Sequence, residues 1–270
     1  MPIYLAVLLG IVEGITEYLP VSSTGHLVLA GHLLGLNDAD PATSSFEIVV
    51  QLGAILAVVA HYRTLLADRA RGLLARDPAA VRLASALLIA FAPTAAAGLL
   101  LRKTIKAHLF GPLPVAAALI AGGAAMILVE RFVVRGKAER KEGLENVTPS
   151  RALVIGTAQC LSLWPGTSRA MCTIVAGQLL GLSTGTAAEF SFLLALPTLG
   201  AATVYEGYKA RQILAAHVGA GSMAVGLVVS FAVAWIVIGT FLQYLRTRGL
   251  EPFGWYRIVL GGIVLWVLGR

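Results

Sequence analysis

Charged side chains set inside long apolar stretches constrain this chain more than any other feature. One stretch is interrupted by Glu13-Gly14-Ile15-Thr16-Glu17-Tyr18-Leu19-Pro20-Val21-Ser22-Ser23-Thr24-Gly25-His26, another by Leu161-Ser162-Leu163-Trp164-Pro165-Gly166-Thr167-Ser168-Arg169. The two look like copies: a short apolar run, a proline, a hydroxyl cluster and a second apolar run. Those second runs end alike, in Gly31-His32-Leu33-Leu34-Gly35-Leu36 and Gly177-Gln178-Leu179-Leu180-Gly181-Leu182. The 270 residues are 57% hydrophobic and only 13% charged, with mean hydropathy +0.81. That is the composition of an all-α polytopic membrane protein. An Asp, Lys or Arg at the centre of a span costs about 2.5–3.5 kcal/mol, so the interruptions mark a site.

Six runs are long enough to cross a bilayer, which takes about 20 residues each. They are approximately Phe46–Tyr62, Ala80–Leu101, Leu113–Val134, Thr186–Tyr205, Val218–Leu245 and Phe253–Leu268. Two further units, Ile3–Leu19 with Ser23–Leu36 and Ala152–Leu163 with Ser168–Leu182, pair shorter runs around the polar turns. They read as re-entrant helix-loop-helix units, since irregular backbone survives at depth only inside protein or beside a wet cavity. The order is helix pair, three spans, helix pair, three spans. Three crossings is an odd number, so the second unit enters from the opposite face. The expectation is one membrane domain, 1–270, with inverted repeats at about 1–134 and 150–270 and a cytoplasmic linker at 135–149.

The basic residues agree. With the N-terminus on side A, that side carries Arg102, Lys103, Lys106, Lys209, Arg211 and Arg270. Side B carries 14 Lys and Arg, Arg257 among them, and only Arg169 is left inside the membrane. Side B is then cytoplasmic and both termini face outward. Met1 to Pro20 has no basic leader and carries Glu13 and Glu17, so it is expected to belong to the fold. The net charge of +7 is topological and points to no nucleic acid. Cys160 and Cys172 form no CxxC pair and read as small apolar residues. No Walker A sequence is present.

Glu13 and Glu17 are four residues apart and share a helical face. They suit a general base, or a pair of oxygen ligands for Mg²⁺ or Ca²⁺. The alternative is a structural pair bonded to backbone freed by the break. Ser22, Ser23 and Thr24 stand where the next half-helix begins; one is expected to cap it, and another to act as a nucleophile. His26 follows Ser23 by three residues, so hydroxyl, imidazole and carboxylate supply the parts for phosphoryl or acyl transfer. In the second unit, a helix starting near Ser168 offers free N–H groups, Arg169 a fork for phosphate or carboxylate oxygens, and Thr173 a further hydroxyl. An ion pair of Arg169 with Glu13, Glu17 or Glu189 is the competing reading. Glu47, Gln51 and Glu189 lie in corresponding spans and are expected to orient the site from behind.

At these motifs the chain resembles the undecaprenyl-pyrophosphate phosphatase family, also called bacitracin-resistance proteins. The resemblance covers nearly the whole chain. It rests on the two interruptions, on Phe46-Glu47 leading to Gln51-Leu52-Gly53, on Thr173, and on Glu189-Phe190-Ser191-Phe192-Leu193-Leu194. It implies hydrolysis of a C55 polyprenyl pyrophosphate to the monophosphate, which recycles the lipid carrier of cell-wall synthesis. It also implies the bacterial inner membrane, a site open to the outer face, and dependence on Mg²⁺ or Ca²⁺. Glu13 and Glu17 become the acidic motif, Ser23 the nucleophile and His26 its partner; Ser168, Arg169 and Thr173, with Ser22, contact phosphate. One departure stands out: Ala170-Met171 replaces the family's Ser-Gly, which puts the second loop's geometry in question. The rival reading is a transporter or lipid flippase, because inverted repeats with broken helices are transporter architecture. The chemical inequality of the two units favours an enzyme. A homodimer is carried as an option.

Overall fold

The computed structural model of the chain describes residues 1–36, 40–109, 111–135 and 140–268. Lys137 and Arg270, part of the linker, and the side chains of Arg102, Lys103, Lys106 and His108 lie outside that description. Eleven α-helices are present among the described residues: α1 Ile3–Thr16, α2 Ser23–Leu33, α3 Pro41–His61, α4 Arg63–Leu74, α5 Pro78–His108, α6 Pro112–Val129, α7 Pro149–Gln159, α8 Arg169–Leu179, α9 Thr184–Ile213, α10 Ala220–Leu245 and α11 Glu251–Leu268. There is no strand among them, only an isolated bridge between Lys141 and Leu182. Six helices are long and apolar enough to span a bilayer. The chain is a multi-pass, all-α membrane protein, with side chains such as Leu99, Leu100 and Val204 turned outward where lipid would lie.

Cap chemistry explains where the spans begin, and why most start earlier than hydropathy places them. Asp40 accepts from Ala42 and Thr43 amides before Pro41, Asp77 from Ala80 before Pro78, and Thr148 from Arg151 before Pro149. A cap oxygen followed by proline at the first helical position is a strong start signal. α6 and α9 run on into single π-turns at Glu130–Val134 and Leu214–Val218. α4, outside the six expected spans, is an amphipathic helix whose Leu65 and Leu66 pack on the core while Arg63 and Arg71 are exposed.

The four helices around the interruptions are short. At about 1.5 Å per residue, α1 with 14 residues and α2, α7 and α8 with 11 each fall short of a hydrocarbon core about 30 Å thick. Their details repeat. Ser22 caps α2 at φ 74° and accepts from the Gly25 amide; Ser168 caps α8 at φ 72° and accepts from the Met171 amide. Both helices close alike on Gly35 and Gly181 at positive φ, with Leu36 N–H bonded to Gly31 and Leu182 N–H to Gly177. Met171 is the third residue of α8 and takes no left-handed conformation, so the Ala170-Met171 departure leaves the turn intact.

Small residues set the packing, as expected where lipid removes the usual hydrophobic drive between helices. α10 lies between α1 and α3. A β-carbon at Gly10 would sit 2.9 Å from the Gly226 carbonyl, and one at Gly14 2.8 Å from that of Ser230. α7 packs on α5 in the same way, with Gly156 against Ala90, and α6 packs on α11 through Gly123 and Gly254. The main core gathers Tyr18, Phe190, Phe192 and Phe241 between the two interrupted units.

Candidate active site

The tips of both units meet at one cavity of about 200 Å³, lined by Glu17, Ser22 and Ser23 from the first and by Gly166, Ser168 and Arg169 from the second. Ser23 Oγ donates to Glu17 Oε2 at 2.7 Å. Arg169 Nη2 donates to Glu17 Oε1 at 3.4 Å, closing a hydrogen-bonded chain across 152 positions of sequence. Both charged partners are almost wholly buried. The two interruptions therefore converge on one cavity.

Arg169 is held rather than free. Its Nη1 donates to the carbonyl and hydroxyl of Ser191 at 2.7 and 3.2 Å, and its guanidinium lies 5.5 Å from the centroid of the Tyr18 ring. Tyr18 is fixed in turn by a 3.0 Å bond from its hydroxyl to the Ala54 carbonyl. Arg169 Nε is buried and meets no acceptor among the described residues. A buried donor on a permanently charged group is costly when left unmatched. Arg169 lines the cavity, its positive charge suits an anion there, and the N-termini of α2 and α8 bring free backbone amides to the same place.

The other sequence candidates divide. Ser22 and Ser168 line the cavity, though each hydroxyl oxygen is engaged as a cap. Gln51 also lines it. Thr173 does not: its hydroxyl binds the Arg169 carbonyl at 2.9 Å and Ser191 at 2.7 Å, which places it behind the arginine as a brace. Nor does His26 meet Ser23. Its Nδ1 lies 2.7 Å from the Ser22 carbonyl and its Nε2 2.7 Å from the Tyr256 hydroxyl, with the two rings stacked. Because a carbonyl only accepts, Nδ1 carries a proton there and, in the neutral ring, Nε2 accepts from Tyr256. Neither Glu47 nor Glu189 is among the residues that line the cavity.

Glu13 is fully buried, and neither of its carboxylate oxygens meets a donor among the described residues. No group of three or more His, Cys, Asp or Glu is gathered for a metal among those residues. The two orphan oxygens of Glu13, with the spare lone pairs that the Glu17 oxygens keep beyond their bonds to Ser23 and Arg169, are nevertheless the kind of partial shell Mg²⁺ uses when phosphates and waters complete it. The donor set fits such an ion.

The charge count placed Arg257 on a cytoplasmic loop, and the structure overturns that. Arg257 is fully buried within α11. Its guanidinium donates to Pro20 in the first turn at 3.1 Å, to Gly166 in the second at 3.0 Å, and to the Ala118 and Leu119 carbonyls of α6 at 3.1 and 3.4 Å. It ties the two turns that form the cavity. The signal was available, since Arg257 is the one charged residue inside the expected span Phe253–Leu268. Tyr18, Ser191 and Tyr256 were missed as well. An aromatic or small hydroxyl residue in an apolar run is ordinary packing material until its partners are seen.

A profile of the family described as "Bacitracin resistance protein BacA" matches residues 6–263. A protein of Sorangium cellulosum named undecaprenyl-diphosphatase is 59% identical over 97% of this chain and 85% of its own length. Its namesake in Nitrosomonas europaea is 49% identical over 96% and 92%, and undecaprenyl-diphosphatase 2 of Rhodospirillum rubrum 48% identical over 96% and 93%. With its paired polar turns, its hydrogen-bonded chain from Ser23 through Glu17 to Arg169, and a match across nearly its whole length, this chain belongs to the bacitracin resistance protein family.

Proposed function

We propose that this protein is an undecaprenyl-diphosphatase, a membrane hydrolase that converts undecaprenyl pyrophosphate to undecaprenyl phosphate and inorganic phosphate. The observation that carries the reading is the closed chain from Ser23 through Glu17 to Arg169, set in a cavity at the tips of two broken helix pairs. Arg169 and the first amides of α2 and α8 take the phosphate oxygens and stabilise charge on the transferring phosphoryl group. Glu17 Oε2 already accepts the Ser23 proton and is placed to remove it, or to remove one from water. Ser191, Tyr18 and Thr173 keep the guanidinium in position. Glu13 and Glu17 would hold Mg²⁺ or Ca²⁺, which when bound neutralises phosphate charge. His26, tied to Ser22 and Tyr256, fixes the entrance to the serine turn.

The two short helix pairs are read as re-entrant, and the molecule as an inverted repeat. Exchange of α1 with α7 and of α10 with α5 carries one packed pair onto the other, and the serine caps repeat within a few degrees in φ. Without Arg257, side B still holds thirteen of the Lys and Arg residues against six. The reading therefore keeps side B cytoplasmic, both termini outside and the site open to the outer face of the inner membrane.

Purified protein in detergent micelles should release phosphate from undecaprenyl pyrophosphate, and Ser23→Ala should abolish it. Micelles have no two sides, so turnover there needs no transport, whereas a flippase that is not a phosphatase would release none. Wild-type rates from Ser23→Ala would remove the serine from the chemistry.

A further inference from the structure

The cavity has two unlike walls. One presents donors: Arg169 and the starts of α2 and α8. The other, where α7 ends and α5 and α9 pass, is lined by Thr94, Gln159, Ser162 and Thr198. None of these four has a role in the reaction described so far.

Their hydrogen bonds can be counted. Thr94 Oγ1 donates to the Gly156 carbonyl at 3.1 Å, Ser162 Oγ to the Gln159 carbonyl at 2.7 Å, and Thr198 Oγ1 to the Leu194 carbonyl at 2.7 Å. A hydroxyl has one proton, so all three are spent on backbone and only lone pairs remain. Gln159 Nε2 donates to Thr94 Oγ1 at 2.9 Å. Because that hydroxyl proton is already engaged, the atom facing Thr94 must be the amide nitrogen, and Oε1 is turned away from it. Gln159 is 1% exposed, and its Oε1 has no donor among the described residues. Thr94 and Thr198 each follow a proline inside a helix, Pro93 and Pro197, where the helical ladder is already interrupted. The end of α7 adds the negative pole of its dipole.

A wall of acceptors repels phosphate oxygens, which are acceptors too. Water suits it: one proton binds a lone pair of the wall, the other is left for a base, and a lone pair of the water is free for phosphorus on the donor side. We infer that Gln159, braced by Thr94 and flanked by Ser162 and Thr198, seats the water consumed in hydrolysis. The inference rests on the phosphatase reading and adds residues to it. In direct attack, the water oxygen bonds to the terminal phosphorus and the bridging P–O bond breaks. The lipid monophosphate leaves with the bridging oxygen, one water proton stays on the released phosphate, and the other passes to Glu17. If phosphate is first transferred to Ser23, whose proton goes to Glu17, the same water later attacks that phosphoserine. The P–Oγ bond then breaks and Oγ recovers a proton from the water.

The test is turnover of undecaprenyl pyrophosphate in micelles containing methanol, with phosphate and methyl phosphate measured separately. Gln159→Leu should lower kcat by about 10²-fold, the cost of misplacing a reactant by about an ångström. KM should change little, and the methyl phosphate share should rise several-fold because the wall has become apolar. Thr198→Val, nearly isosteric, should move both readouts the same way by less, and Thr198→Ser should restore them. A raised KM with an unchanged product ratio would mean that the wall holds a protonated phosphate oxygen instead, and would overturn the inference. So would wild-type values in both Gln159→Leu and Thr198→Val. Failure of the wild-type protein to release phosphate would instead sink the phosphatase reading.

Discussion

Ser23 and His26 lie three residues apart on one helix, yet the structure gives them different company. Ser23 turns to Glu17, while His26 bridges the Ser22 carbonyl and Tyr256. If His26 positions the serine turn, His26→Ala should cost less in kcat than Ser23→Ala, and Tyr256→Phe should reproduce part of the His26→Ala loss. Equal losses from Ser23→Ala and His26→Ala, with Tyr256→Phe silent, would put the imidazole at the reacting atoms instead. Glu13, Glu17, Ser23 and Arg169 were legible in the sequence because a charge or hydroxyl cluster in apolar surroundings stands out as composition. The orientation of His26 was not, because it depends on Tyr256, 230 residues away. Thr173 was assigned to phosphate by its spacing from Arg169. One helical turn back also places a hydroxyl beneath the arginine, and that is where the structure has it.

The short helices at the interruptions need help that whole spans do not. Ser22 and Ser168 hold positive φ, a conformation costing about 1–3 kcal/mol for such a residue, and the turns they end are tied together by Arg257. Arg257→Leu should lower the melting temperature in detergent and remove activity, because several buried carbonyls lose their donor at about 1–3 kcal/mol each. Arg257→Lys should rescue little, since an ammonium cannot reproduce the planar fork that reaches both turns. An Arg257→Leu protein with wild-type melting and turnover would show that the turns hold without it. α1 depends on close approach to α10. Gly14→Leu should destabilise by about 1–3 kcal/mol through overpacking, whereas Gly262→Leu, with nothing within 4 Å of a β-carbon there, should melt like wild type. Element type was readable from hydropathy, and element ends were not, because caps such as Asp40 and Asp77 start helices in polar sequence. α4 was hidden for the same reason: its apolar face is only two to four leucines wide.

The molecule sets two chemically unequal copies of one unit against each other. The first supplies carboxylates and a hydroxyl, the second a guanidinium, and each contributes a helix N-terminus to a shared cavity. The likeness of the two units was visible in the matching glycine-leucine endings and in the order of runs. The meeting of the tips agrees with the proposed inverted repeat, in which units entering from opposite faces would end near the same depth. The exchange of α1–α10 for α7–α5 was not visible, because packing partners far apart in sequence leave no local mark. If the shared cavity is the pyrophosphate site, Arg169 is the buried cation that joins the second unit to the Glu17 carboxylate of the first. Steady-state phosphate release from undecaprenyl pyrophosphate should then be measured for wild type and Arg169→Ala at equal folded concentration in micelles. The account predicts a loss of about 10²–10³-fold in kcat for the variant, the usual consequence of removing a preorganised donor from a transferring group. Turnover within a factor of about two of wild type, less than 1.4 kcal/mol of barrier, would contradict it.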